Sequence, residues 1–260
     1  MAMLELDGVS LYFSVKGEGT PIVFIHPPLL TNENFRYQRA VLSHAYKVIT
    51  FDIRGHGRSQ YSPRPITYHL ITEDITRLLD HLGINKAFLC GYSTGSSLAL
   101  EFLLNYPDRA LGAILVSGMS ESSDFYLRQR ISLAVKLAMP TAFPILAKAI
   151  TYGNADSNET FKTLYDAAVK GDIRNIKEYF QYSLNYNCTD QLKHINYPIL
   201  LVYGKKDKSF YRYASLLKEK LPCSDLNFID NEKHQIPTKA SAELNRLIAH
   251  FVEGHNNNFF

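Results

Sequence analysis

Residues 90–100 read CGYSTGSSLAL. A strand-forming run, KAFLCGY, stops at Tyr92, and a helix-forming run, TGSSLALEFLLNY, begins near Thr94 with Pro107 beyond it. Between the two stands Ser93, flanked by Gly91 and Gly95 in the order G-x-S-x-G. A turn that joins strand to helix this tightly forces the serine into a strained backbone conformation, and small neighbours relieve the crowding. The hydroxyl should then project from the sheet edge over a helix N-terminus, whose N–H groups and dipole favour developing negative charge. The bland alternative is a glycine-containing turn without chemistry; the strand-turn-helix setting favours the reactive reading.

The segments on either side repeat the same alternation. LELDGVSLYFSV reads as two strands joined at Asp7–Gly8, PIVFIH as a short buried strand, ENFRYQRAVLSHA as a helix and YKVITFDI as a fourth strand. A helix over 67–82 opens at Thr67 and is closed by Gly83, and ALGAILVSG supplies a sixth strand. From about 120 to 190 the strand signal vanishes, and the text becomes helical, tyrosine-rich and broken by Pro140, Pro144, Gly153 and Gly171. The rhythm resumes with YPILLVYG, a helix over 209–220, the strand DLNFID and the helix AELNRLIAHFVEG; HNNNFF reads as a frayed tail. The pattern predicts an α/β fold with a mostly parallel eight-stranded sheet, helices on both faces and a helical cap inserted after the sixth strand. Residues 1–119 and 191–260 would form the core and 120–190 the cap, which interrupts one domain instead of separating two.

At 260 residues and 46% hydrophobic content, the chain can bury a core of ordinary size. Its 28 basic and 25 acidic residues give a net charge of +3 without any run of five or six like charges, which argues against a nucleic-acid partner. Glu5 and Asp7 interrupt the start too early for a signal peptide, and Cys90, Cys188 and Cys223 are an odd set without metal-type spacing. Both features point to reduced thiols and a cytoplasmic location. The most membrane-like window, 131–150, holds Lys136, Lys148 and two prolines, so it is expected to be a greasy surface and not a transmembrane segment. Oligomeric state cannot be read from the sequence.

A serine becomes nucleophilic only when a base takes its proton, and neutral imidazole is the usual base. Of the nine histidines, His44, His69, His81 and His250 fall on predicted helices, His255 in the tail and His56 in the glycine turn FDIRGHGRS. His234 is different, because NEKHQIP is a loop just past the last strand, at the sheet edge that presents Ser93. The imidazole also needs an acid to fix its tautomer. Asp207, in VYGKKDKSF, follows a strand that ends at the same edge; alone it would read as a turn or helix-capping residue, but with Ser93 and His234 the order Ser, Asp, His favours a triad.

With GYSTG, the strand-end FIHPP, the FDIRGHGRS loop, the GKKD turn and the NEKH loop, the chain resembles the α/β-hydrolase family, in its serine hydrolase, carboxylesterase-like branch, over nearly its whole length. The resemblance implies an oxyanion hole built from the Thr94 N–H and a second N–H after the third strand. There the usual His-Gly-x is replaced by His26-Pro27-Pro28, which offers no donor at either usual position. A loop shifted by one residue would place the Leu29 N–H inward; the alternative is a half-built hole and a poor catalyst. His26 is expected to brace its loop, and Arg54, Gly55, Gly57 and Ser59 to shape theirs. Pro28, Leu30, Tyr92, Phe125, Phe143, Phe210 and Ile236 are the candidate pocket residues, with Tyr126, Ile145 and Leu146 also considered.

The expected activity is cleavage of a carboxylic ester of a small or medium apolar substrate through an acyl-enzyme. Neither a metal nor an organic cofactor is expected. A slow ligand-binding or signalling protein on the same fold is the rival from another class, and lactonase, C–C bond hydrolase and perhydrolase are the enzyme alternatives. Aspartate-nucleophile branches are disfavoured by the serine at position 93.

Overall fold

The structure, a computed structural model, describes residues 2–256. Eight strands, β1 Ala2–Leu6, β2 Val9–Lys16, β3 Pro21–Ile25, β4 Lys47–Phe51, β5 Ala87–Tyr92, β6 Ala110–Val116, β7 Ile199–Gly204 and β8 Ser224–Ile229, form one sheet in the order β1-β2-β4-β3-β5-β6-β7-β8. β1 and β2 form an antiparallel hairpin, β2 pairs antiparallel with β4, and every other pair is parallel. This is the expected eight-stranded, mostly parallel sheet.

The helices are α1 Arg36–Leu42, α2 Tyr68–His81, α3 Thr94–Asn105, α4 Phe125–Leu137, α5 Phe143–Asn154, α6 Asn158–Ala168, α7 Ile173–Asn185, α8 Tyr211–Lys220, α9 Ile236–Lys239 and α10 Ser241–Asn256. Alternation along β5 sends Ala87 and Leu89 to one face, with α2, α3 and α8, and Phe88, Cys90 and Tyr92 to the other, with α1, α9 and α10. A strand covered on both faces must be apolar throughout, and every residue of β5 is buried. The four helices α4–α7 lie between β6 and β7 and share their own apolar cluster, which Leu29 joins from below. A single bridge, Glu121 to Asn187, ties the ends of this helical segment. No helix among the described residues is long and apolar enough to cross a membrane.

Boundaries differ from expectation in three places. ENFRYQRAVLSHA divides into a 3-10 turn, Asn32–Phe35, and α1, which stops at Leu42, so His44 lies beyond the helix. The split has a local cause: Thr31 Oγ1 accepts the Glu33 N–H and Asp52 accepts the Asn32 N–H, holding the first turn tight. The 209–220 helix likewise starts as a 3-10 turn at Lys208–Phe210. Of the tail, His255 and Asn256 continue α10, while 257–260 lie outside the described residues.

The topology also places the site. After β3 the chain moves to β4 on one side, and it returns to β5 on the other, so β3 and β5 are neighbours whose exit loops diverge. Such a reversal opens a crevice at the carboxyl ends of the strands, where ligands bind in open α/β sheets. Ile25 pairs with Gly91 across it, setting the His26–Thr31 loop beside the Ser93 turn.

Candidate active site

β5 ends at Tyr92 and α3 begins at Thr94, so Ser93 alone makes the turn, at φ 54° and ψ −121°. Such a conformation costs a residue with a side chain about 1–3 kcal/mol and persists only where its surroundings hold it. Here the Ser93 N–H donates to the Val116 carbonyl at 2.8 Å, and the Ser93 carbonyl accepts the Ser96 N–H at 2.9 Å. The glycines are required by contact. A Cβ on Gly91 would lie 2.2 Å from the Gly95 carbonyl oxygen, and one on Gly95 would lie 2.2 Å from that of Ile25.

His234 lies in the loop after β8, its carbonyl accepting a hydrogen bond from Ser117 Oγ at 3.0 Å. Phe210 and Tyr92 flank its ring at centroid distances of 4.3 and 5.5 Å. Its Nε2 is 3.0 Å from Ser93 Oγ, and its Nδ1 is 2.9 Å from Asp207 Oδ2. Asp207 follows β7, and its other carboxylate oxygen accepts from Ser209 Oγ at 2.8 Å. Burial alone would raise the Asp207 pKa; the hydrogen bond and charge of His234, with the bond from Ser209, outweigh it and hold the carboxyl below its ordinary value. An ionised carboxylate accepts from Nδ1–H, which leaves the Nε2 lone pair facing the serine hydroxyl. Three residues far apart in sequence therefore meet within hydrogen-bonding distance.

The loop after β3 is tightly held. Pro28 and Leu29 occupy the centre of a turn, with Leu29 at φ 71°. A proline followed by a residue at positive φ is the type II pattern, in which the second place normally favours glycine. The Leu29 side chain is fully buried, and its N–H has no acceptor among the described residues. The Thr94 N–H, in the first turn of α3, is likewise without an acceptor among them. His26 braces the loop: Nδ1–H donates to the Pro27 carbonyl at 2.9 Å, while Nε2 accepts the Ile53 N–H at 3.0 Å. From α7, Tyr179 Oη donates to the His26 carbonyl at 3.0 Å.

A cavity of about 440 Å³ opens beside Ser93 and His234, within the usual range for small-molecule sites. Pro28, Leu30, Tyr92 and Phe210 line it as expected, as do Ile145 and Leu146. Phe125, Phe143 and Ile236 do not. Phe125 is 67% exposed at the start of α4, Phe143 packs inward among the helices α4–α7, and Ile236 is fully buried in the apolar cluster that includes Leu244 and Ile248 of α10. Tyr126 also points to solvent. Helical periodicity does not say which face of an inserted helix meets the cavity, and that ambiguity misplaced Phe125 and Phe143; Ile236 was misplaced because its nearness in sequence to His234 does not fix which way its side chain turns.

Sequence reasoning missed Met119, Arg130 and Asn154 in the wall, and Ser117 behind His234. Asn154 Oδ1 accepts from the buried Tyr92 hydroxyl at 2.9 Å, fixing α5 over the site. No local motif marks any of the four.

The sequence matches the model of the alpha/beta hydrolase fold family over residues 20–237. A putative non-heme chloroperoxidase of Synechocystis sp. is 25% identical over 264 aligned positions, covering 94% of this chain and 95% of that protein. Among solved structures, an esterase from Exiguobacterium antarcticum superposes with a TM-score of 0.85 at 21% identity, covering 95% of this chain and 97% of the other. The enol-lactonase from Burkholderia xenovorans LB400 does so with 0.85 at 18%, covering 97% and 100%. The two structures speak for the fold, and the family match spans most of the sheet together with all three residues that meet at the crevice: this chain belongs to the α/β-hydrolase family.

Proposed function

We propose that this protein is a serine hydrolase that cleaves carboxylic esters with small or medium apolar acyl groups, in the cytoplasm and without a cofactor. The observation that carries this reading is the unbroken Asp207–His234–Ser93 chain, with contacts of 2.9 and 3.0 Å. His234 takes the Ser93 proton as Oγ attacks the acyl carbon, and Asp207 stabilises the imidazolium. The tetrahedral oxyanion is held by the N–H groups of Thr94 and Leu29, each such donor typically worth ~3 kcal/mol, or a hundredfold and more in rate. His234 then returns the proton to the departing alcohol. Water, activated by the same imidazole, cleaves the acyl-enzyme. Residues 120–190 act as a cap on the core formed by 1–119 and 191–260, and the apolar cavity beneath takes the acyl chain.

The test is steady-state hydrolysis of nitrophenyl acetate, butyrate and octanoate by the protein and by Ser93→Ala. Turnover should fall by at least a thousandfold in the variant. A single stoichiometric burst without turnover would instead favour the slow ligand-binding reading. The chloroperoxidase and enol-lactonase likenesses support perhydrolase and lactonase as second readings. A panel containing γ-lactones, and acetate with hydrogen peroxide, separates them by kcat/KM.

A further inference from the structure

Helices α4 and α5 leave an unusual surface uncovered. Phe125, Tyr126, Leu133, Met139, Ile145 and Tyr152 are all large, apolar and exposed, and all lie within 28 consecutive positions, 125–152. The spacing makes them stripes: Tyr126 and Leu133 are seven apart on α4, as are Ile145 and Tyr152 on α5, two turns in each case. The segment 125–154 also carries Arg128, Arg130, Lys136 and Lys148 and no acidic residue, whereas the whole chain has a net charge of only +3. None of these four cations forms an ion pair among the described residues. Arg128 donates to the carbonyls of Ser122 and Leu184, and Arg130 lines the cavity, where its charge acts on Asp207. Leu133 and Ile145 belong both to this exposed patch and to the wall of the cavity, so the cavity opens through it.

Exposed apolar side chains clustered at the mouth of a site mark an interaction surface. Their interleaving with unpaired cations selects the partner. An anionic lipid surface accepts both at once, with apolar groups entering the acyl boundary while lysine and arginine reach the headgroups. α4 and α5, at 13 and 12 residues, are too short to span a bilayer and would lie in its plane.

We propose that the α4–α5 face docks reversibly on anionic bilayers, presenting the cavity mouth to the lipid. This goes beyond the chemistry assigned to Ser93 and does not depend on it. The test is cosedimentation with sucrose-loaded vesicles of phosphatidylcholine alone or with 30% phosphatidylglycerol. Binding should be at least tenfold tighter to the anionic vesicles and should weaken in 0.5 M salt. Lys136→Gln/Lys148→Gln should lose about fivefold in affinity per lysine, and Phe125→Ser/Tyr126→Ser should lose a comparable amount. These four side chains lie outside the cavity wall, so melting temperature and turnover of a short soluble ester should stay within twofold of the parent as controls. Equal or absent binding to the two vesicle types overturns the proposal, as does anionic binding that survives both double variants. A dimer in sedimentation equilibrium that the Phe125/Tyr126 variant abolishes, without vesicle binding, would assign the face to a second copy and overturn it too.

Discussion

Leu29 adopts φ 71°, a region in which a leucine is strained, yet it stands where a glycine would be unstrained. Its side chain explains the choice, since it is fully buried among the helices α4–α7 and pins the turn beneath them. Leu29→Gly would recover about 1–3 kcal/mol of backbone strain and forfeit about 2–5 kcal/mol of buried packing. The expected result is a net loss of about 1–2 kcal/mol, read from the urea midpoint; an increase in stability would show that the side chain does not anchor the loop. Leu29 was identifiable from sequence as the first N–H after two prolines. Its backbone conformation was not, because nothing local to leucine favours positive φ and the packing that holds it comes from residues more than 100 positions away.

Turns and caps follow local chemistry closely. Thr67 Oγ1 accepts the Leu70 N–H at the start of α2, and Gly83 sits at φ 65° just past its end, both as the residue types require. What joins elements to one another is less local. Arg54, in the loop after β4, makes two hydrogen bonds of 2.6 and 2.7 Å to Asp74 on α2, and both side chains are almost fully buried. Removing one member strands the other charge. Asp74→Ala should therefore cost about 3–5 kcal/mol, measured by chemical denaturation, and a loss below 1 kcal/mol would contradict the pairing. The sequence suggested a turn-shaping role for Arg54 and no partner, since Asp74 is one of several acids on its helix and only the docking of α2 selects it.

Taken whole, the molecule buries two neutral histidines beneath its crevice. His26 and His56 lie with ring centroids 5.3 Å apart. Burial pushes His26 down to about 4, and burial together with the charge of His26 pushes His56 down to about 3. Both values lie below that of an unfolded histidine, so between pH 6.5 and about 4 the unfolded chain binds more protons than the folded one. Stability is thus fully present above pH 6.5 and lost as pH falls toward 4, with His26 alone contributing on the order of 3 kcal/mol. Melting curves at pH 7.5, 6.0 and 5.0 should show a steady decline; a flat profile would mean that these rings are not held neutral. By itself the sequence determined the strand and helix rhythm, the Ser93 turn and the chain order of Ser93, Asp207 and His234, because periodicity, capping and tight-turn sterics act over a few residues. Only the tertiary structure decided that the three meet at 2.9 and 3.0 Å, that Phe125, Phe143 and Ile236 miss the cavity, and that Asn154 and Ser117 support it. The meeting depends on how β5, β6, β7 and β8 pair, and the cavity wall on how the helices between β6 and β7 settle on the sheet; both come from summed pairing and burial over distant residues, which no short stretch of sequence encodes.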